Sequence, residues 1–283
     1  MTVDLVPFVR SGNELLLKLL GPSVEFIGES WRSKLEDRAR RNADRVGTRA
    51  IQKLGDRLNT AGSVPPRVLR AVLDEAPFCD DELSAEYVSG VLASSRTESG
   101  LDDRGVSLIA TVSRLSSIAL RAHYIWYTIF HRLYCGAVPE NTGPIDYVKL
   151  ATYVPMEVFS AALDDQWRDD PSGWEHALHS LAREDLIGTI AYGRNEESQD
   201  LVKRHNVGLA LPRGHSSFVL YPTPAGIELY QWSVGRGGLT TLEFFSDAFE
   251  PVELPGIEIA DGSLSIQIWT GRRSHRNPFT REI

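Results

Sequence analysis

Cysteine and methionine are scarce, two of each in 283 residues. The thiols, Cys79 and Cys135, stand far apart and fit no C-x-x-C redox or zinc pattern. A disulfide framework needs dense, paired cysteines, so a reduced intracellular chain with two buried thiols is expected. Long hydrophobic runs are missing too. The greasiest stretch, "SSIALRAHYIWYTIFHRLYCGAV", is interrupted by Arg121, His123, His131 and Arg132, leaving too short an uncharged run to span a bilayer. The opening "MTVDLVPFVRSGNELLLKLL" has no cationic start, and Asp4, Arg10, Glu14 and Lys18 interrupt it. It does not read as a signal peptide, and a cytoplasmic location is expected.

Catalytic signatures are equally sparse. G-x-S-x-G is absent, as is S-x-x-K with its companions, so serine-nucleophile chemistry has no support. Neither a P-loop nor a G-x-G-x-x-G opening a helix after a strand is found, and no cofactor is expected. A surplus of positive charge is lacking as well: 30 basic residues face 38 acidic ones, giving a net charge of −8. Such a field repels nucleic acid and anionic membranes, leaving only local basic patches to bind them.

One such patch lies in what is present. Gly21-Pro22-Ser23 is a good helix start, and small or apolar residues then recur every three or four positions from Val24 through Ala43, Val46, Ala50 and Leu54 to Leu58. The spacing predicts one long helix over 22–60, with a stripe thin enough to suit a single partner helix, within the chain or between copies. Its other faces are basic, with nine Lys/Arg against four Asp/Glu from Arg32 to Arg57. Arg38, Arg41 and Arg45 fall three and four apart on one face. They are the candidate binding residues, for RNA, phosphate or a lipid headgroup. The competing account is a solvated face with ion pairs to Glu36, Asp37 and Asp44.

"GSVPPRVLRAVLDEAP" reads as a breaker and a short helix with Pro66 in its first turn. "DDELSAEYVSGVLASSR" follows as a helix N-capped by Asp80 or Asp81. From Asp74 to Asp103 nine acids accompany a single base, Arg96. That acidic stretch is matched to the basic helix, in cis or between subunits, and mutual neutralisation is expected over metal binding because no D-x-D-x-D-G calcium spacing occurs. Residues 105–135, rich in Leu, Ile, Tyr, Trp and Phe, predict one or two core helices.

Pro139, Gly143 and Pro144 mark a boundary. Beyond it, "IDYVKLATYV", "PMEVFSAALDDQW" and "GWEHALHSLAREDLIG" read as three short helical pieces. Strand-leaning segments follow around Thr189–Tyr192 and Phe218–Tyr221, joined by a polar loop. That order is the order of a winged helix-turn-helix. Its charge does not suit DNA: residues 144–236 carry 8 bases and 13 acids, with one arginine in the candidate recognition helix "GWEHALHSLARED". "GRGG" at 235–238 reads as a flexible link. "GIEIADGSLSIQIW" alternates around Asp261-Gly262 and predicts a β-hairpin.

Histidines offer the remaining chemistry. His176 and His179, beside Glu175, are spaced i, i+3, whereas zinc proteases use i, i+4 with a glutamate between and need a third ligand. Surface histidines are expected there, and packed ones at His123 and His131, which flank Trp126, Tyr127 and Phe130.

The blocks "LLKLLGPSVEFIGESWRSKLEDRARRN", "PPRVLRAVLDEAPFCDDELSAEYVSGVLASS", "LHSLAREDLIG" and "YPTPAGIELYQW" come in the order seen in the Abi-alpha family, bacterial proteins associated with abortive infection, which this chain resembles over roughly residues 15–235. Shared points include Leu92-Ala93 closing the acid-started helix and Thr223, Pro224 and Gly226 opening the last. Departures are Tyr87-Val88 where the family has an aromatic before the Leu-Ala pair, and Leu229 to Trp232 at the end of the last block. The resemblance implies a role in anti-phage defence at a cost to the host cell, and brings no catalytic residue.

The expected architecture is mainly α with a smaller α+β part. A helical domain with a long N-terminal helix spans 1–138, a winged-helix-like domain 144–236, a β-hairpin extension 239–271 and a disordered tail 272–283. The expected function is defence through protein partners or self-association, without catalysis, metal or membrane span. The alternatives are a nucleic-acid-binding regulator, disfavoured by charge, and a nuclease-like effector built on Glu175, His176 and His179.

Overall fold

The computed structural model describes residues 37–138, 147, 149–163, 165–205, 211–254, 257 and 259. Among these are ten α-helices and a three-stranded antiparallel sheet, so the chain is mainly helical. The chain divides into two compact units. One comprises residues up to Leu120 with Glu228–Leu239; the other comprises Arg121–Ile227 with residues from Thr240 onward. The boundary expected at 138–144 falls largely on residues outside the described set. No helix among the described residues is long and apolar enough to cross a membrane.

In the first unit, α1 (Asp37–Leu54) continues into a 3-10 turn, Gly55–Asn59. The 22–36 portion of the expected long helix lies outside the described residues. The stripe read from spacing is the buried one: Ala43, Val46, Ala50, Leu54 and Leu58. After α2 (Pro66–Glu75), with Pro66 at its first position, comes α3 (Glu82–Ser94). Asp81 is its N-cap, accepting the Ser84 amide at 2.8 Å. Leu83 and every residue from Ala85 to Ser94 are buried. A helix hidden on all sides is the core of its unit. α4 (Gly105–Arg114) packs beside it.

α5 (Ser117–Tyr134) carries the aromatic run into the second unit. Of the segment 145–154, expected to be helical, residues 152–154 fall in strand β1 (Thr152–Pro155). Four residues of Thr, Tyr, Val and Pro have no helical period of their own, and pairing with a partner strand decides their state. Then come α6 (Met156–Ala161), α7 (Asp165–Arg168) and α8 (Pro171–Arg183), the last capped by Asp170, whose carboxylate accepts the Gly173 amide at 3.0 Å. β2 (Gly188–Arg194) and β3 (Ser216–Tyr221) complete a sheet in the order β1-β3-β2. Tyr153 lies opposite Val219 on one side, and Tyr192 opposite Phe218 on the other.

The segment expected to be a polar loop between β2 and β3 contains a helix, α9 (Asn195–Arg204). Acids in its first turn and bases in its last suit the helix dipole, and Val202 is its apolar anchor. Val202 and Leu211 cover one sheet face with Val219, Tyr153 and Ala191. On the other face, Phe218 meets Trp126 of α5 and Phe159 of α6 at ring-centroid distances of 5.7 and 5.1 Å. β3 is therefore buried on both sides, as its unbroken apolar run requires.

α10 (Pro224–Ser233) follows the Thr-Pro break. Thr223 caps it, its hydroxyl accepting the Gly226 amide at 3.1 Å and donating to the Asp185 carbonyl at 2.5 Å. Tyr127 donates to the Leu186 carbonyl at 2.8 Å and accepts the Thr223 amide at 3.1 Å. A side chain on Gly226 would overlap both the Tyr127 hydroxyl and the Leu186 carbonyl. The expected flexible link at 235–238 is a packed turn. Gly235, at φ +82°, sends its amide to Trp232 O at 3.0 Å, Arg236 N bonds Gln231 O at 2.9 Å, and Gly237 N bonds Ser94 Oγ at 3.1 Å. This is the glycine-dependent helix ending in which two amides satisfy the last carbonyls. Only Ile257 and Ile259 of the expected hairpin are described; its turn at Asp261-Gly262 and the tail lie outside the described residues.

Gly226→Ala is expected to destabilise the protein by about 2–3 kcal/mol through overpacking. The loss is read as a lowered midpoint in urea denaturation. Equal midpoints for wild type and Gly226→Ala would show that the close approach is not needed.

Candidate functional site

The basic face of α1 and the acidic start of α3 meet. Arg45 Nη1 lies 3.1 Å from Glu82 Oε1, and its Nη2 donates to Asn42 Oδ1 at 2.6 Å and to the Cys79 carbonyl at 3.0 Å. Arg49 pairs with Glu82, donates to the Glu82 carbonyl at 2.8 Å, and lies 3.4 Å from Glu86. Lys53 pairs with Glu86. The steps from Arg45 to Arg49 to Lys53 are i, i+4, as are Glu82 and Glu86, so the two rows run along facing helices.

Depth separates the members of this row. Glu82 is largely exposed, and its pairs contribute little beyond registering the helices. Glu86 is 6% exposed, and the Lys53 side chain is almost as hidden. Burial pulls the Lys53 ammonium below the ordinary lysine range, while the Glu86 carboxylate opposes that shift. A buried pair of this kind gives little net stability, yet removing one partner leaves the other charge stranded.

Of the three candidate binding residues, Arg45 has its donors committed to α3 and the turn before it. Arg41 is exposed and makes no ion pair among the described residues. Arg38 lies in α1, and its side chain is outside the description. The helical period puts the three on one face, but the structure gives Arg41 and Arg45 different surroundings.

The histidines divide into two kinds. His176 and His179 are exposed on α8. His176 Nε2 is 3.4 Å from Ser180 Oγ, and His179 Nε2 is 3.4 Å from the Tyr192 hydroxyl. Among the described residues no group of three or more His, Cys, Asp or Glu is placed to hold a metal ion. His123 and His131 are buried in the second unit. His131 Nδ1 donates to the Phe244 carbonyl at 2.7 Å, which fixes its tautomer. Burial pushes the His123 imidazole down to about 3, against the opposing pull of a hydrogen bond with the Gly226 backbone. It is neutral at physiological pH, beside Tyr127 at a ring-centroid distance of 4.5 Å.

Cys79 is buried, and burial with the nearby charges of Glu75, Asp81 and Asp80 pushes its thiol up to about 12. Such a thiol is a core residue rather than a nucleophile. Sequence reasoning missed the polar cluster of Tyr127, Asp185 and Thr223. Its signal was the Thr-Pro-x-Gly pattern, in which a capping hydroxyl, a proline at the first helical position and a glycine under close packing each have a physical purpose.

Comparison with protein-family profiles, curated proteins and solved structures finds no match for this chain.

Glu86→Ala is expected to cost about 3–5 kcal/mol by stranding Lys53, whereas Arg41→Ala should change stability by less than about 0.5 kcal/mol. Chemical denaturation of both variants checks this contrast, and similar costs would contradict it. For His123 the folded pKa lies below the unfolded one, so the unfolded chain binds the extra proton between those values. Its contribution to stability is complete above about 6.5 and is lost as pH falls toward about 3. His123→Asn should therefore flatten the stability profile by up to about 1.4 kcal/mol per pH unit between about pH 6 and 4.5. An unchanged slope would show that this imidazole titrates normally.

Proposed function

We propose that this chain is a non-catalytic component of abortive-infection-type anti-phage defence that works through protein contacts, with a partner or with further copies of itself. The segment 144–236 is assigned in this proposal to a winged-helix-like domain used for such contacts. The order β1, α6, α7, α8, β2, α9, β3 with β3 central supports that assignment, α9 being an insertion where a winged helix has its wing loop, as does the position of α8 immediately before β2. The sequence blocks resembling the Abi-alpha family support the biological setting.

Charge is the observation that favours protein over nucleic acid. Three cations of α1 are spent on Glu82 and Glu86. The outward side of α8 presents Ser172, Glu175, His176, His179, Ala182 and Arg183, with one permanent positive charge. A helix that tracks phosphates needs several Lys or Arg along its length, because the affinity comes from released counterions. Glu175 and Arg183 with two imidazoles instead form a mixed polar surface of the kind found at protein interfaces.

A mobility-shift experiment at low ionic strength, with a generic DNA duplex and a single-stranded RNA, is expected to show no salt-dependent complex. A plaque assay should show protection by the wild-type gene, lost when Glu175→Arg and His179→Glu are combined in a protein that still folds. A salt-dependent complex with either nucleic acid would favour the regulator, and protection unaffected by the α8 variant would remove this surface from the mechanism.

A further inference from the structure

Three helix ends in the first unit converge on arginines that have no acidic partner among the described residues. Arg57, in the 3-10 turn after α1, donates from Nη2 to the carbonyls of Ala93 (3.4 Å) and Arg96 (3.3 Å) at the end of α3, and from Nη1 to the Gly235 carbonyl (3.3 Å) after α10. Arg96 donates back, to the carbonyls of Arg57 at 2.8 Å and Thr60 at 2.7 Å. Arg236 follows Gly235 directly, its own amide closing the turn on Gln231. Arg96 is 7% exposed, while Arg57 and Arg236 face solvent. None of the three makes an ion pair among the described residues, in a chain of net charge −8.

The helix ends explain part of this arrangement. Each C-terminus carries roughly half a negative charge, so three ends offset only about half of the three guanidinium charges. The remainder is felt within the cluster: burial lowers the Arg57 pKa, and the charges of Arg96 and Arg236 lower it further. Arg96 cannot relieve the repulsion, because its donors are fixed on carbonyls and its Nε is buried without a partner. Evenly paired arginines would need nothing further. A crowded set with two exposed members favours an anion that bridges them.

We propose that Arg57 and Arg236, backed by Arg96, form a binding site for the phosphoryl group of a small anion. The guanidinium fork matches two phosphate oxygens, and three arginines without an ion pair among the described residues favour a multiply charged anion over a singly charged one. Three arginines at one point also differ from a stripe that follows a nucleic-acid backbone, so a compact anion is the ligand class. The site goes beyond the protein-contact role and does not depend on it.

The full-length protein is titrated calorimetrically with inorganic phosphate, pyrophosphate and a nucleoside diphosphate at constant ionic strength. Saturable binding is expected for at least one of them, weakened about tenfold in Arg236→Gln, which removes one charge-assisted contact. Because the Arg236 side chain makes no hydrogen bond or ion pair among the described residues, that variant should unfold at the wild-type temperature without ligand. Pyrophosphate and the nucleoside diphosphate binding alike would assign the site to the phosphoryl group itself, and a marked preference for the latter would assign it to a nucleotide. Absence of saturable binding, equal binding by wild type and Arg236→Gln, or a single-stranded RNA that binds more tightly than all three anions would each overturn the proposal.

Discussion

The buried carboxylate of Glu86 is the constraint on which the first unit depends. It sits on α3, the helix hidden on all sides, and its charge must be met by a cation that can reach the core. The helix lying alongside, with Lys53 and Arg49 turned inward, does that, so the position of α1 is tied to one buried carboxylate. The apolar stripe of α1 does not supply such a constraint. Ala43 and Ala50 bury little area, and a shift of one turn would exchange Lys53 for Arg49 opposite Glu86, leaving Lys53, whose side chain is almost as hidden, without its carboxylate. Hydrophobic burial brings the helices together, and the ion pair chooses their register.

That choice has a consequence for function. A helix with nine basic residues in its vicinity looks like a surface for phosphates, yet its inner row is spent on α3. Besides Arg41, cations without an ion pair among the described residues occur at the convergence of helix ends around Arg57. In the second unit the buried polar groups are structural in the same sense. Tyr127 and Thr223 bind the turn before β2 to the start of α10, and His123 and His131 remain neutral inside an aromatic core. What remains outward on α8 is mixed in charge, which is the basis for assigning it to protein contacts.

Much of this was legible from local pattern. The α1 stripe, the Asp81 cap and strands β2 and β3 all follow from spacing and turn chemistry. β1 was misread as helix because its four residues carry no period, and its state is set by pairing with Phe218 to Leu220 some 65 positions away. α9 was read as loop because it is almost wholly polar, although acids at its start and bases at its end were already visible. The glycines at 235–238 suggested flexibility, since nothing local announces that Ser94 and Trp232 will enclose Gly237. Complementary charge between the two segments was legible as a sum, but the choice of Arg45 for Glu82, and of exposure for Arg41, required the fold.

The most direct test of the account is a double-mutant cycle on Lys53 and Glu86, using Lys53→Met, Glu86→Gln and the pair together, read by urea denaturation. Two groups that depend on each other for burial should show a coupling energy of about 2–3 kcal/mol, with the double variant much less destabilised than the sum of the singles. A coupling near zero would mean that α1 is not registered by this pair, and that its basic row is available to outside ligands after all.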